Sequence, residues 1–349
     1  MEVNSSSLIQ LENHRAIVVI DPFGGAITDF RLKTIGINPL CFVFTKAQMP
    51  LINRNGAVYQ GHFLCLGRWG EASAGEQQAG VPNHGQFANM TWNVAENKEP
   101  NAARMNATGL LEGLHIERKI ILDMDSPVYV AEVVQNINPL GRLYNMVQHP
   151  TLAAPFLNES TIVDCNATQG FDQAFYQEVN SHVLQWPIAK DRDHETDLRN
   201  PATPYNGVFC FVIEPGAEYG WITAFSPEHR LMIGYTWKRR EYPWIHLWQH
   251  FSAGVIQYRG IEFGTAGIHQ PFNEILNTST ILFGEKTTAF IDAGEYISKK
   301  YLSFIHHTED NFAGVKDITV VNDHLQITGR NGTNINIKLS KEVFNELSE

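Results

Sequence analysis

The sequence predicts an all-β chain, a sandwich or a barrel, on three observations. Its dominant hydrophobic period is two, the alternation of strands with one buried face. Turn residues punctuate the alternating runs. Convincing amphipathic helices are scarce, which leaves sheets packed on sheets as the way to bury the core. Taken in order, the strand candidates are residues 15–20 (RAIVVI), 115–122 (HIERKIIL), 128–137 (VYVAEVVQNI), 208–213, 221–225 and 256–262. Between them stand Asp21-Pro22 with Gly24-Gly25, Asn138-Pro139, Glu214-Pro215-Gly216 and Ser226-Pro227. The best short helix is residues 341–348, at the very end. A break falls at residues 306–310 (HHTED), and beyond it ITVVNDHLQITGRNGTNINIKL reads as two hairpins with turns at Asn322-Asp323 and Arg330-Asn331-Gly332. The expected organisation is one β domain over residues 1–310 and a small extension of hairpins and short helix over 311–349.

Composition narrows the function. The 349 residues include 43% hydrophobic and 11% aromatic side chains, enough for an ordinary core and against wholesale disorder. Lys and Arg number 26 against 37 Asp and Glu, a net charge of -11, which disfavours nucleic-acid and anionic-membrane partners. Cys41, Cys65, Cys165 and Cys210 are widely spaced with no C-x-x-C pair, so they read as inert thiols rather than zinc ligands. No H-E-x-x-H spacing occurs, and neither a metal nor a cofactor is expected. No apolar run approaches the ~20 residues of a membrane helix. The start, MEVNSSSLIQLENHR, lacks a basic segment followed by an apolar one, so the expectation is a soluble cytoplasmic protein.

Three segments join polar groups to apolar strands. In residues 81–94 (VPNHGQFANMTWNV), His84 precedes Gly85 and then a strand carrying Trp92. A His beside Gly can face a cleft, because Gly admits close approach. In residues 144–157 (YNMVQHPTLAAPFL), His149 ends an apolar strand that Pro150 breaks. In residues 255–269 (VIQYRGIEFGTAGIH), Glu262 lies between Ile261 and Phe263. Each His alone reads equally as a satisfied structural group, and Glu262 as a buried partner of Arg259. Together they make an acid/base set: an apolar setting raises a carboxyl pKa, while histidines titrate near neutrality.

The ordered set His84-Gly85 before Trp92, His149-Pro150 after a strand, and Gly260-Ile261-Glu262 late in the chain resembles the aldose 1-epimerase (galactose mutarotase) superfamily. Residues 25–32 (GAITDFRL) resemble its opening strand, and Asp292-Ala293-Gly294-Glu295 with the following β run resembles its closing turn and strand. The resemblance spans residues 12–306 and implies an antiparallel β-supersandwich. It implies that Glu262 is the base on an anomeric hydroxyl, that His149 is the acid on the ring oxygen, and that His84 holds or polarises the same region. The sugar-gripping Arg of the family has two candidates here, Arg54 and Arg68, of which Arg68 is better framed by a strand. The family's Gly-[Phe/Tyr]-Asp segment has a counterpart only in Gly170-Phe171-Asp172, where Asp172 reads either as a sugar ligand or as a plain turn.

Residues 235–250 (YTWKRREYPWIHLWQH) hold Trp237, Trp244 and Trp248. Aromatic rings stack on sugar C–H faces, so Trp237, Trp244, Trp248 and Trp92 are candidate platforms; a buried aromatic strand face is the other reading. Residues 238–240 (KRR) read as a phosphate grip or a solvated turn. The functional expectation is an isomerase interconverting sugar anomers. The alternatives are a non-catalytic carbohydrate-binding protein of this fold and a hexose-6-phosphate epimerase.

Overall fold

The computed structural model of the chain describes residues 7–96, 99–191, 194–200 and 204–348; the amino-terminal reading falls partly on residues 1–6, outside these. The described residues form two large antiparallel sheets, one of thirteen strands and one of eight, with a two-stranded and a three-stranded sheet beside them. Among them, α-helix is confined to Ala74–Gln78, Phe272–Thr278 and Lys341–Ser348. The period-two runs all become strands, with ends moved by a residue or two.

At the centre of the larger sheet, His62–Gly67, Arg142–Ala153, Val255–Gly264 and Trp244–Ser252 lie side by side. Strand side chains alternate between faces. Leu64, Leu66, Met146, Leu152, Ile245, Leu247, Ile261 and Phe263 therefore enter the main core, against Ile116, Val130, Ile222 and Ile233 of the eight-stranded sheet. The intervening positions carry Phe63, Cys65, Val147, His149, His246, Trp248 and Glu262 to the outer face. A second apolar cluster on that face draws in Phe42, Tyr59 and Trp69 from the covering loops.

Three expectations need correction here. The strand does not break at Pro150: Arg142–Ala153 continues through it, with Pro150 opposite His62. On the other side, pairing lapses between Gly260–Thr151 and Phe263–Gln148, so the missing proline N–H falls where no ladder bond is made. Trp92 lies not within a strand but just before the short Asn93–Val94. Its indole is buried, donates to the Phe87 carbonyl at 3.0 Å and carries the Arg118 guanidinium 4.4 Å over its ring. Gly25, at φ +65°, is required beneath it, since a Cβ there would meet the indole nitrogen at 2.5 Å. Trp237 is likewise a core residue, stacked on Phe263 with ring centres 4.0 Å apart.

Residues 315–338 form three strands, the two expected hairpins sharing the middle one, His324–Gly329. Asn322 and Asp323 both take positive φ, as a tight hairpin turn demands. With the Lys341–Ser348 helix, these strands cover Trp221, Phe225, Leu302 and Phe304.

Candidate active site

A cleft of about 250 Å³ opens on the outer face of the larger sheet, with Glu262, His149, His84 and His269 among its lining. Glu262 and His149 come from neighbouring strands, at the point where the ladder lapses. Glu262 Oε1 lies 3.2 Å from His149 Nε2. Trp69 Nε1 donates to Glu262 Oε2 at 3.2 Å. The His149 ring stacks on Phe63, and its Nδ1 lies 3.0 Å from Thr151 Oγ1. The Thr151 hydroxyl donates to the His149 carbonyl at 3.5 Å, so it accepts from Nδ1–H and leaves Nε2 to face Glu262.

Both partners are almost wholly buried, with 1% and 6% of their surfaces exposed. Burial penalises both charged forms. It pushes the Glu262 carboxyl well above its ordinary value, opposed by the Trp69 hydrogen bond, and holds His149 down to about 3. The pair therefore keeps one proton between them near neutrality, in place of a bare carboxylate or an isolated imidazolium.

His84 arrives from a loop and adopts φ +59°, a left-handed conformation in which His is among the better tolerated side chains. The Gly70 amide donates to His84 Nδ1 at 3.1 Å, and the His84 amide returns a bond to the Gly70 carbonyl at 2.9 Å. The neutral ring thus carries its proton on Nε2. Burial, the first cause, and the neighbouring His149 and His269 keep it neutral. Asn53, itself buried, ties the loop down: its amide donates to Tyr59, Asn83 and Asn89. Beneath the cleft the Trp69 ring lies 4.1 Å over that of His246, whose Nδ1 is 3.0 Å from Cys210 Sγ.

Glu262, His149 and His84 are thus brought together; the other candidates are not. Arg68 is buried and outside the cleft lining, paired with Glu76 and 3.6 Å over the Phe272 ring. Asp172 lines a different cavity, caps the turn that follows it through the Ala174 amide at 2.9 Å, and bonds Tyr205. That is the plain-turn reading. Trp244 is buried, donating to the Lys286 carbonyl at 2.7 Å, and only Trp248 of that strand reaches the cleft wall. Lys238 and Arg239 pair with Glu218 and Glu285 away from the cleft.

Trp248 belongs to the tryptophan run offered as a platform, whereas Trp69 and His269 escaped selection from sequence. Trp69 did carry a signal: Gly67 and Gly70 bracket it, both at positive φ, and a Cβ on Gly70 would sit 2.7 Å from His269 Nε2. His269 lies in a loop whose local pattern carries none. Among the described residues no group of three or more His, Cys, Asp or Glu side chains is arranged to hold a metal ion. No helix there is long and apolar enough to cross a membrane.

This fold is that of the galactose mutarotase-like structures. The chain superposes on the Slr1438 protein of Synechocystis with a TM-score of 0.62 at 15% identity, covering 88% of this chain and 99% of that one. A galactose mutarotase-like protein of Clostridium acetobutylicum matches at 0.60 and 14%, covering 86% and 95%. A galactose mutarotase related enzyme of Lactobacillus acidophilus matches at 0.58 and 11%, covering 87% and 99%. No family model matches the chain, and no curated protein matches it in sequence.

Proposed function

We propose that this protein is an aldose 1-epimerase-type isomerase that interconverts the α and β anomers of a sugar. The observation that carries the reading is the 3.2 Å contact between Glu262 and His149 in an aromatic-walled cleft. Ring opening needs a base on the anomeric hydroxyl and an acid on the ring oxygen. In the form that starts the reaction the shared proton sits on His149 Nε2 and Glu262 is a carboxylate. Glu262 takes the hydroxyl proton and the C1–O1 bond becomes a carbonyl. The C1–O5 bond breaks as O5 receives the proton from His149. Rotation about C1–C2 turns the other carbonyl face to O5–H, which closes the ring and returns its proton to His149 while O1 regains one from Glu262. The pair ends with the proton it began with, so neither metal nor cofactor takes part in this scheme. His84 Nε2–H supports the oxygen that gathers charge.

Four cysteines without a disulfide are in keeping with action in the cytoplasm. The test is NMR exchange between anomers across a panel of aldoses and sugar phosphates. Glu262→Gln keeps the shape but cannot accept the proton, and His149→Asn removes the acid; each should lower kcat by roughly 10²-fold or more. Full activity in Glu262→Gln removes the base assignment. Binding without exchange by the wild type supports the carbohydrate-binding alternative.

A further inference from the structure

The walls of the cleft speak to the kind of sugar. We infer that the substrate is an uncharged aldose lacking a hydroxyl at the end remote from its anomeric carbon, a 6-deoxyhexose in the simplest case. This rests on the isomerase reading above.

The acid/base groups of the cleft, Glu262, His149, His84 and His269, are gathered at one end. From there two chains of rings lead outward. His149 meets Trp248 at 6.0 Å between ring centres, and Trp248 meets Phe42 and Phe44 at 6.0 and 6.3 Å. On the other side His149 stacks on Phe63, Phe63 on Tyr59, and Tyr59 meets Phe44 at 6.4 Å. Both chains converge on Phe44, so the end opposite the acid/base pair is apolar. Val208 and Pro50 complete it.

The polar groups along the way are mostly engaged. The Tyr59 hydroxyl donates to the Asn83 carbonyl at 2.7 Å. Gln48 Oε1 accepts from the Thr45 amide and hydroxyl, which leaves its amide nitrogen as the one donor near Phe44 among the described residues of the lining. Among the described residues no Lys, Arg or Asp lines the cleft, so a phosphate or carboxylate on the sugar meets no cation. A sugar with C1 at Glu262 turns its far carbon toward Phe44, Phe42 and Val208. A methyl group there gains contact with these side chains, whereas a hydroxyl finds near them no partner but the amide nitrogen of Gln48, at an exposed position. An apolar site disfavours an added hydroxyl by roughly ten- to a hundredfold.

Matched pairs test this by NMR exchange: galactose against 6-deoxygalactose, glucose against 6-deoxyglucose, mannose against 6-deoxymannose, each with its 6-phosphate. The 6-deoxy member should have the higher kcat/KM, by about tenfold or more, in at least the pair whose ring stereochemistry fits. The phosphates should be poorest. Phe44→Asn, at a partly exposed position, should shrink the ratio within that pair. Saturation-transfer binding to the same pairs gives the preference independently of turnover. Equal or better use of the hydroxylated or phosphorylated sugars overturns the inference and leaves the isomerase reading standing. A 6-deoxy preference in binding with no exchange of any sugar does the reverse. Neither binding nor exchange across the panel overturns both.

Discussion

Glu262 shows what single side chains contribute. Its two oxygens are committed separately, Oε2 to the Trp69 indole and Oε1 to His149, so removing the indole N–H perturbs one without touching the other. Trp69→Phe keeps an aromatic ring against His246 and deletes the donor. Because that hydrogen bond favours the carboxylate, its loss raises the Glu262 pKa further, and kcat/KM should fall about tenfold or more with the alkaline limb of its pH profile displaced upward. An unchanged limb would show that Trp69 only packs. The wild-type profile is itself informative. Burial holds His149 down to about 3, so the pair gains a second proton only in strong acid. The acid side of kcat/KM should stay flat down to about pH 5, measured by anomer exchange with correction for the spontaneous rate. A limb near 6.5, the ordinary histidine value, would contradict the shared-proton account. At this scale the sequence was legible where a polar residue broke an apolar strand pattern, as Glu262 and His149 do. It was illegible where a side chain is delivered by a loop, as His269 is, and misleading for three of the four tryptophans offered, Trp248 being the exception. Trp92, Trp237 and Trp244 look like platforms in composition, but their N–H groups find carbonyls in the core.

Elements were legible nearly throughout, because period-two alternation is both the signal in the chain and the cause of the two-faced sheet. The continuation through Pro150 was hidden, since a missing N–H is harmless only if the neighbouring strand offers it no acceptor, and that depends on partners distant in sequence. The C-terminal unit poses the sharper question. Phe312, Val315, Leu325, Ile327, Val343 and Leu347 are buried against the outer face of the eight-stranded sheet. Asp164 fastens the junction, accepting from Arg199 at 2.6 Å, Arg330 at 3.0 Å and the Val315 amide at 2.9 Å. We propose that residues 311–349 are an integral cover rather than an independent appendage. A chain ending at residue 310 should lose about 10 °C or more in Tm and tend to aggregate, as Trp221, Phe225 and Phe304 become exposed. Thermal melts with light scattering check this; an unchanged Tm would make the unit separable. Leu347→Asp, which buries one charge in the same seam, should lower Tm in the same direction without removing the strands.

Across the whole molecule, histidine neutrality links the site to acid stability. His62 is held to about 3 and His149 likewise, His269 and His306 to about 4, and His84 and His246 well below 6.5, in every case chiefly by burial. Each binds a proton in the unfolded chain near pH 6 but not in the folded one. Their contribution is therefore present above 6.5 and is lost as the pH falls toward their folded values. Three carboxyls oppose them. Burial raises Glu112 to about 7, Glu241 above its ordinary value and Glu262 well above it, so they contribute most below about 4.5 and lose that contribution as the pH rises. Between pH 6.5 and 4.5 the six histidines outnumber the three carboxyls, so stability should fall as the pH drops, each unbalanced proton contributing about 1.4 kcal/mol per pH unit. Urea unfolding at a series of pH values between 7.5 and 4.5 measures this directly. The midpoint should move to lower urea with acid, and a flat or rising midpoint would mean that these rings are protonated, or water-accessible, in the folded state. Four of the six histidines lie in the cleft or directly beneath it, so the neutral imidazoles that the proposed proton transfer calls for also leave the fold sensitive to acid. His62 sits on the other face of the same sheet, bonded at Nε2 to Gln148 and with a buried Nδ1 lacking a partner. Replacing His62 by Gln, which cannot take up a proton, should flatten the acid dependence by up to one proton while anomer exchange persists, separating the structural part of this sensitivity from the catalytic part.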